Sequence, residues 1–372
     1  MYEGDDVKKV LLRLYLEKNL GDDLFGYIIL KRYRNDFYIY SHSEYNAFKE
    51  FNNVHFCVNF FTLLYDKIIQ RLFHLIDYRE TVEKSKYDLL LYAGGSIFME
   101  NHNMEYWKEN VRQYKKNYVD FVCIGCNIGP YTDSDYPDLL YKHIFSMAKD
   151  VCFRDKKSYN LYKNVFNKKN IRYAPDIVFT LDTRDIKDDK TNNIVISIID
   201  VDKKFGKNIT EKYESMIIDI INYYQLQENN IILMSFCKAE GDEHAINRII
   251  NKLPNKTNIK KYFYRGNVEE TLSIIKSAKI IVGSRYHANI LGLIFKKQII
   301  PISYSSKLDN VLYDIGYEGP IIKLDWLDKL NVEEILQKEY KYDLKKLDTI
   351  IKKSNLQFEY LDKILERVHK NE

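Results

Sequence analysis

The strongest constraint on the fold of this chain is an alternation. Short β-branched apolar runs are each followed by a segment of helical spacing, in two separate series. The first series has apolar runs at Val10–Leu16, Phe37–Tyr40, Tyr87–Tyr92, Tyr118–Ile124 and Val151–Phe153, with helical patterns at Leu24–Arg34, Asp135–Ala148 and Lys157–Phe166. The second has runs at Ile194–Ile198, Ile231–Ser235, Lys261–Tyr264, Ile280–Val282 and Gln298–Ser303. Its helical patterns lie at Glu211–Tyr224, His244–Leu253, Val268–Ser277, Ala288–Lys297 and Asp309–Ile315. Strands that alternate with helices pair in parallel. Between the two series lies Asp182–Asn193, DTRDIKDDKTNN, with the composition of a linker. The expected fold class is therefore α/β, with two Rossmann-like domains facing across a cleft. The N-terminal domain is placed at residues 1–185 and the C-terminal domain at 193–335. Residues 336–372 are read as amphipathic helices packing back on the first domain. The aromatic stretch Phe51–Tyr78 and the stretch Asn103–Lys116 read as further helices, with His55 and His74 as packing residues.

A length of 372 residues suits two domains of ordinary size. At 45% hydrophobic and 30% charged residues the composition is globular, and with a net charge of only +4 nothing points to a nucleic-acid-coating protein. The 32 tyrosines are read mainly as base-composition bias, with carbohydrate stacking as the alternative. Five cysteines in no framework spacing point to a reducing compartment. Cys123 and Cys126 form a C-x-x-C, but no second pair completes a zinc site, and no required metal or cofactor is expected. Val10–Leu16 is too short and too interrupted for a signal peptide, and no run reaches the ~20 apolar residues that span a bilayer. A cytoplasmic location is expected. The lysine-rich outer face of the terminal helices leaves peripheral membrane contact open beside plain packing.

The chemistry concentrates in Lys279–Lys307. Gly283 and Ser284 end an apolar strand, Arg285, Tyr286 and His287 follow together, and a helical pattern begins. Ligands of open α/β sheets bind where strands end, and helix N-termini favour anions there. An arginine for an anion and a histidine able to move a proton fit an enzyme site. A surface arginine and a histidine satisfied by a backbone carbonyl fit the same residues. In the first series, Glu17–Asp23 contains Asn19, Gly21, Asp22 and Asp23 in a strand-to-helix turn. It is either ligand-facing or, through Asp22 or Asp23, a helix cap; it is not a dinucleotide fingerprint. Gly94 and Gly95 open a turn at a strand end that suits close approach of a ligand or of another backbone. Arg154 repeats the logic of Arg285, although an Arg154–Asp155 surface ion pair explains the same letters. Asp176 follows a proline in a loop, where it caps or orients. Glu240 and Asp242 follow another strand end, as cleft lining or as a solvated turn.

Taken in order, these motifs resemble the polysaccharide pyruvyl transferase family. The resemblance is carried by Asn19-Leu20-Gly21-Asp22, Gly94-Gly95-Ser96, Gly125–Pro130, Arg154-Asp155-Lys156-Lys157-Ser158, Pro175-Asp176, and Gly283-Ser284-Arg285-Tyr286-His287-Ala288 with Tyr304 and Lys307 beyond. It implies a glycosyltransferase-B-like fold and transfer of the carboxyvinyl unit of phosphoenolpyruvate onto a sugar of a bacterial surface polysaccharide or glycan precursor, forming a ketal. It implies His287 and Arg285 as catalytic residues. Donor binding would fall to Arg154, Arg285, Lys307 and Ser284. The first domain would supply the acceptor side, with Asn19, Asp22, Gly94, Gly95 and Asp176 lining the cleft. Implied partners are phosphoenolpyruvate and a sugar or lipid-linked glycan acceptor, with no nucleic acid. Two other readings stand: a sugar-nucleotide-dependent glycosyltransferase of the same fold, and a degenerate, non-catalytic carbohydrate-binding protein.

Overall fold

The computed structural model describes residues 7–41, 45–57, 87–100, 108, 112, 119–166 and 170–368. The chain divides into two compact units. The first is Met1–Leu16, Phe25–Ile177 and Lys353–Glu372; the second is Glu17–Leu24 and Val178–Lys352. The first turn of the helix Leu20–Arg32 therefore groups with the second unit. The division after Ile177 falls ahead of the linker expected from composition, for a physical reason. Lys276 donates to the carbonyls of Thr183 (2.9 Å) and Ile186 (2.6 Å), and Asp189 N donates to Ser277 Oγ (2.9 Å), which staples that polar stretch to the helix Val268–Ser277.

The first unit is built on a parallel sheet of seven strands. They are β1 (Lys9–Arg13), β2 (Asp36–Tyr40), β3 (Val54–Cys57), β4 (Leu89–Ala93), β5 (Asp120–Cys126), β6 (Asp150–Phe153) and β7 (Ile171–Tyr173). Their order is β3-β2-β1-β4-β5-β6-β7, so the succession of strands switches sides between β1 and β4, which pair in parallel. Strands β4 and β6 are buried along their whole length, and β5 everywhere but its first residue. That is why they read as unbroken apolar runs. Strand β3 corrects one expectation: Val54–Cys57 begins the stretch read as helix, yet pairs in parallel with Phe37–Tyr40. As an edge strand it is mostly half-exposed, and four aromatic-rich residues carry no period that separates strand from helix. His55 there pairs with Asp36 Oδ1 (2.8 Å) and stacks on Tyr38. The remainder of that stretch, His74 included, and nearly all of Asn103–Lys116 lie outside the described residues.

The C-terminal segment completes this unit. Arg32 and Tyr33 converge on Asp362, through Arg32 Nε (2.9 Å), Arg32 Nη2 (2.7 Å) and the Tyr33 hydroxyl (2.7 Å). Gln357 is fully buried. Its Nε2 donates to the carbonyls of Ala174 (2.8 Å) and Pro175 (3.1 Å), and its Oε1 accepts from Gly125 N (2.9 Å). A residue from the end of the chain thus satisfies backbone groups at the carboxyl ends of β5 and β7. Cys123, Cys126 and Cys152 are buried free thiols in the same core.

The second unit has a parallel sheet of six: β8 (Asn193–Ile198), β9 (Asn230–Ser235), β10 (Ile259–Phe263), β11 (Ile280–Gly283), β12 (Gln298–Ser303) and β13 (Ile322–Lys323), in the order β10-β9-β8-β11-β12-β13. This is the 3-2-1-4-5-6 order of doubly wound folds, with its switch point between β8 and β11. The helix Asp202–Leu226 buries Tyr213, Ile217, Ile220 and Ile221 against the sheet. It is interrupted at Gly206 (φ 77, ψ 172), which sets Asp202–Phe205 apart as a turn of its own. Among the described residues, no helix is long and apolar enough to cross a membrane.

Candidate active site

In the second unit the site is built at the carboxyl ends of β9 and β11, which flank β8 on either side. Ser284 and Arg285 leave β11 with both backbone N–H groups donating to Ser197 Oγ (3.0 and 3.1 Å). Ser284 itself is buried, its hydroxyl 2.8 Å from that of Tyr213. It braces the turn from within the core. Asn289 adds a second brace by donating to the carbonyls of Gly283 (2.8 Å) and Arg285 (3.1 Å). The helix Tyr286–Ile294 begins two residues earlier than the apolar pattern indicates, so His287 lies in its first turn. Polar residues at a helix start carry no hydrophobic period, which explains the difference.

Arg285 is no surface residue. Only 9% of it is exposed, and its guanidinium is gripped by two carboxylates. Asp242 takes Nε at 3.1 Å and also Nη2, and Glu240 takes Nη1. Burial alone would pull the guanidinium down; the carboxylates of Asp242 and Glu240 outweigh it and hold it well above its ordinary range. Asp242 is fully buried and also accepts from the backbone N–H of Phe236 (3.0 Å) and Cys237 (2.9 Å). These two acidic residues were read from the sequence as cleft lining or as a solvated turn; what that reading did not contain is their grip on Arg285.

The N-x-G-D turn joins the same group. Asn19 Nδ2 donates to Glu240 Oε1 (3.0 Å), and Leu20 N donates to the Phe236 carbonyl (3.1 Å). Capping falls to Asn19, whose Oδ1 accepts from Gly21 N (3.0 Å), rather than to Asp22 or Asp23. Asp23 instead receives the Tyr264 hydroxyl (2.6 Å). Gly21 lies flat against the His287 ring: a Cβ there would stand 2.1 Å from Nδ1. Asp22 is half-buried beside it. Lys307 is in the first turn of the helix Ser306–Asp314, three residues beyond Tyr304. Burial pushes the Tyr304 phenol up, against the pull of the Arg285 guanidinium.

Gly21→Ala is therefore expected to displace the imidazole. A misplacement of about 1 Å costs on the order of 10²-fold in rate. Stability should fall by about 1–3 kcal/mol, the usual cost of forcing an extra carbon into a packed site. Turnover and urea midpoint, measured on one preparation, test both; an unchanged rate would mean that the ring tolerates the methyl group.

In the first unit four of the motifs meet at Arg154. Its Nη1 donates to Asp176 Oδ2 (2.8 Å), and Nε and Nη2 donate to Asn127 Oδ1 (3.2 and 2.9 Å). A Cβ on Gly95 would stand 2.3 Å from Nη2, and Asn127 N donates to the Gly95 carbonyl (2.8 Å). Asp176 thus orients. Asp155 makes no surface pair with Arg154; it caps the next helix by accepting from Ser158 N (2.8 Å) and Ser158 Oγ (2.7 Å). Gly94 is buried at the end of β4. Asn127 was legible only as a turn residue, and nothing in its neighbours' spacing marks it as a partner of Arg154. Among the described residues, no group of three or more His, Cys, Asp or Glu is arranged to hold a metal.

Two parallel-sheet α/β domains, each with residues gathered at the carboxyl edge of its sheet, define a glycosyltransferase-B-like protein. Solved structures of similar fold include UDP-N-acetylglucosamine 2-epimerase from Rickettsia bellii (11% identity, TM-score 0.56, covering 96% of this chain and 98% of that one). Others are the S. aureus MnaA–UDP co-structure (11%, 0.58, 94% and 92%) and UDP-GlcNAc 2-epimerase from Methanocaldococcus jannaschii (12%, 0.52, 92% and 98%). Residues 19–306 match the model of the polysaccharide pyruvyl transferase family, and the chain belongs to that family.

Proposed function

We propose that this protein transfers the carboxyvinyl unit of phosphoenolpyruvate onto two hydroxyls of a sugar, forming a pyruvate ketal and releasing phosphate. The observation that carries the reading is Arg285 and His287 at the switch point of the second sheet, inside the segment that matches the family. A donor bearing phosphate and carboxylate suits the start of the helix Tyr286–Ile294, whose backbone donors face anions. His287, as imidazolium, gives its proton to C3 of the donor, and positive charge develops at C2. The first sugar hydroxyl adds to C2 and returns its proton to the imidazole. The bond from C2 to the phosphate oxygen then breaks, the second hydroxyl closes the ketal, and its proton leaves with phosphate. Arg285, held rigid by Asp242, fixes the geometry of the strand end. Arg154, oriented by Asp176 and Asn127, is proposed to bind an anionic oxygen of a substrate. The acceptor is proposed to be a free or lipid-linked glycan precursor at the inner face of a membrane.

Calorimetric titration tests the donor. Phosphoenolpyruvate is expected to bind the wild-type protein, and a nucleoside diphosphate to leave the heat signal flat. The reverse result would replace this reading with that of a sugar-nucleotide glycosyltransferase.

A further inference from the structure

The charge balance around Arg285 poses a problem for an anionic donor. One guanidinium faces two carboxylates, so its positive charge is already matched within the cluster. Phosphoenolpyruvate, with its own phosphate and carboxylate, needs a cation whose charge is not already cancelled.

Lys204 meets that requirement. It lies in the turn Asp202–Phe205 after the carboxyl end of β8, the central strand at the switch point. Its Nζ stands 5.1 Å from the centroid of the Tyr304 ring and 5.2 Å from that of Phe205. The two rings meet edge to face at 6.3 Å and 74°. Tyr304 follows the end of β12, which pairs in parallel with β11, so the lysine's aromatic seat and Arg285 both lie just beyond the carboxyl ends of adjacent strands. Among the described residues no carboxylate pairs with Lys204, which is exposed. An aromatic seat holds an ammonium group by ring electrostatics without cancelling its charge, whereas a carboxylate partner would have to be displaced by each incoming anion.

The backbone sets this turn apart from the rest of the helix. Gly206 has φ 77 and ψ 172, a conformation that side chains disfavour, and a Cβ built on it meets nothing within 4 Å. The turn Asp202–Phe205 is fastened on its other side by Asp202 N to Asp200 Oδ1 (3.1 Å) and Phe205 N to the Val201 carbonyl (2.8 Å). Lys204 thus sits on a short turn that Gly206 separates from the long helix.

We propose that Lys204 is a donor-binding residue: seated on Tyr304 and Phe205, it supplies the uncancelled positive charge that binds the phosphate or carboxylate of phosphoenolpyruvate. The inference rests on the pyruvyl-transfer reading of this site. Calorimetric titration of phosphoenolpyruvate into wild type, Lys204→Ala and Lys204→Arg tests it, with melting temperature recorded for each. Loss of one charge-assisted hydrogen bond predicts roughly 10- to 100-fold weaker binding by the alanine variant. The arginine variant should recover most of the affinity, and all three proteins should melt together, which a merely structural lysine would not produce. Binding by wild type that Lys204→Ala leaves unchanged overturns the proposal alone. No binding by wild type overturns the pyruvyl-transfer reading, and this proposal with it.

Discussion

Replacing His287 by alanine is expected to lower acceptor-dependent phosphate release on the order of 10²- to 10⁴-fold, the range that general acid–base catalysis supplies, while phosphoenolpyruvate binding changes little. The separation follows from geometry. His287 projects from the first turn of its helix against Gly21, while the contacts of the Arg285 guanidinium go to Asp242 and Glu240. Removing the ring leaves the helix N-terminus and the arginine in place. Cell-envelope glycan extracts serve as the acceptor pool, and added imidazole should restore part of the rate to the alanine variant. A variant with wild-type turnover would move the proton transfer to another group.

Asp242→Ala is expected to cost about 3–5 kcal/mol of stability, the range for stripping a buried ion pair of one partner. The carboxylate is fully buried and takes four hydrogen bonds, from Nε and Nη2 of Arg285 and from two backbone N–H groups. Without it the guanidinium is enclosed with Glu240 alone. Glu240 provides the internal comparison, because 41% of its side chain is exposed. Glu240→Ala should cost under about 1 kcal/mol, as half-solvated pairs do. Urea unfolding of both variants, at unchanged slope, measures the difference; equal costs would mean that burial of Asp242 does not set its worth.

Much of the architecture was legible because parallel strands buried on both faces announce themselves. Val268–Ser277 and Gln298–Ser303 have the boundaries that their apolar patterns indicate. The edges were not legible. Val54–Cys57 and Ile322–Lys323 are short and lie at or near the margins of their sheets, and only the partner strand declares them. For the site, local pattern placed Arg285 and His287 at a strand end and stopped there. The grip of Asp242 on Arg285 depends on β9 and β11 flanking β8, a neighbourhood set by strand order and absent from either residue's surroundings in sequence. The same holds for Arg154, whose adjacent acid caps a helix while its true partner, Asp176, lies beyond the next strand.

The buried Gln357 has a consequence for how the molecule is made. Ribosomes deliver the N-terminus first, and domains generally fold as units as they emerge. The first unit has to wait: the amide that closes Gly125, Ala174 and Pro175, and the carboxylate that receives Arg32 and Tyr33, belong to residues 353–372. The sheet translated first is the one finished last. A nascent chain stalled before Asn355 would carry a complete second sheet and an open first one.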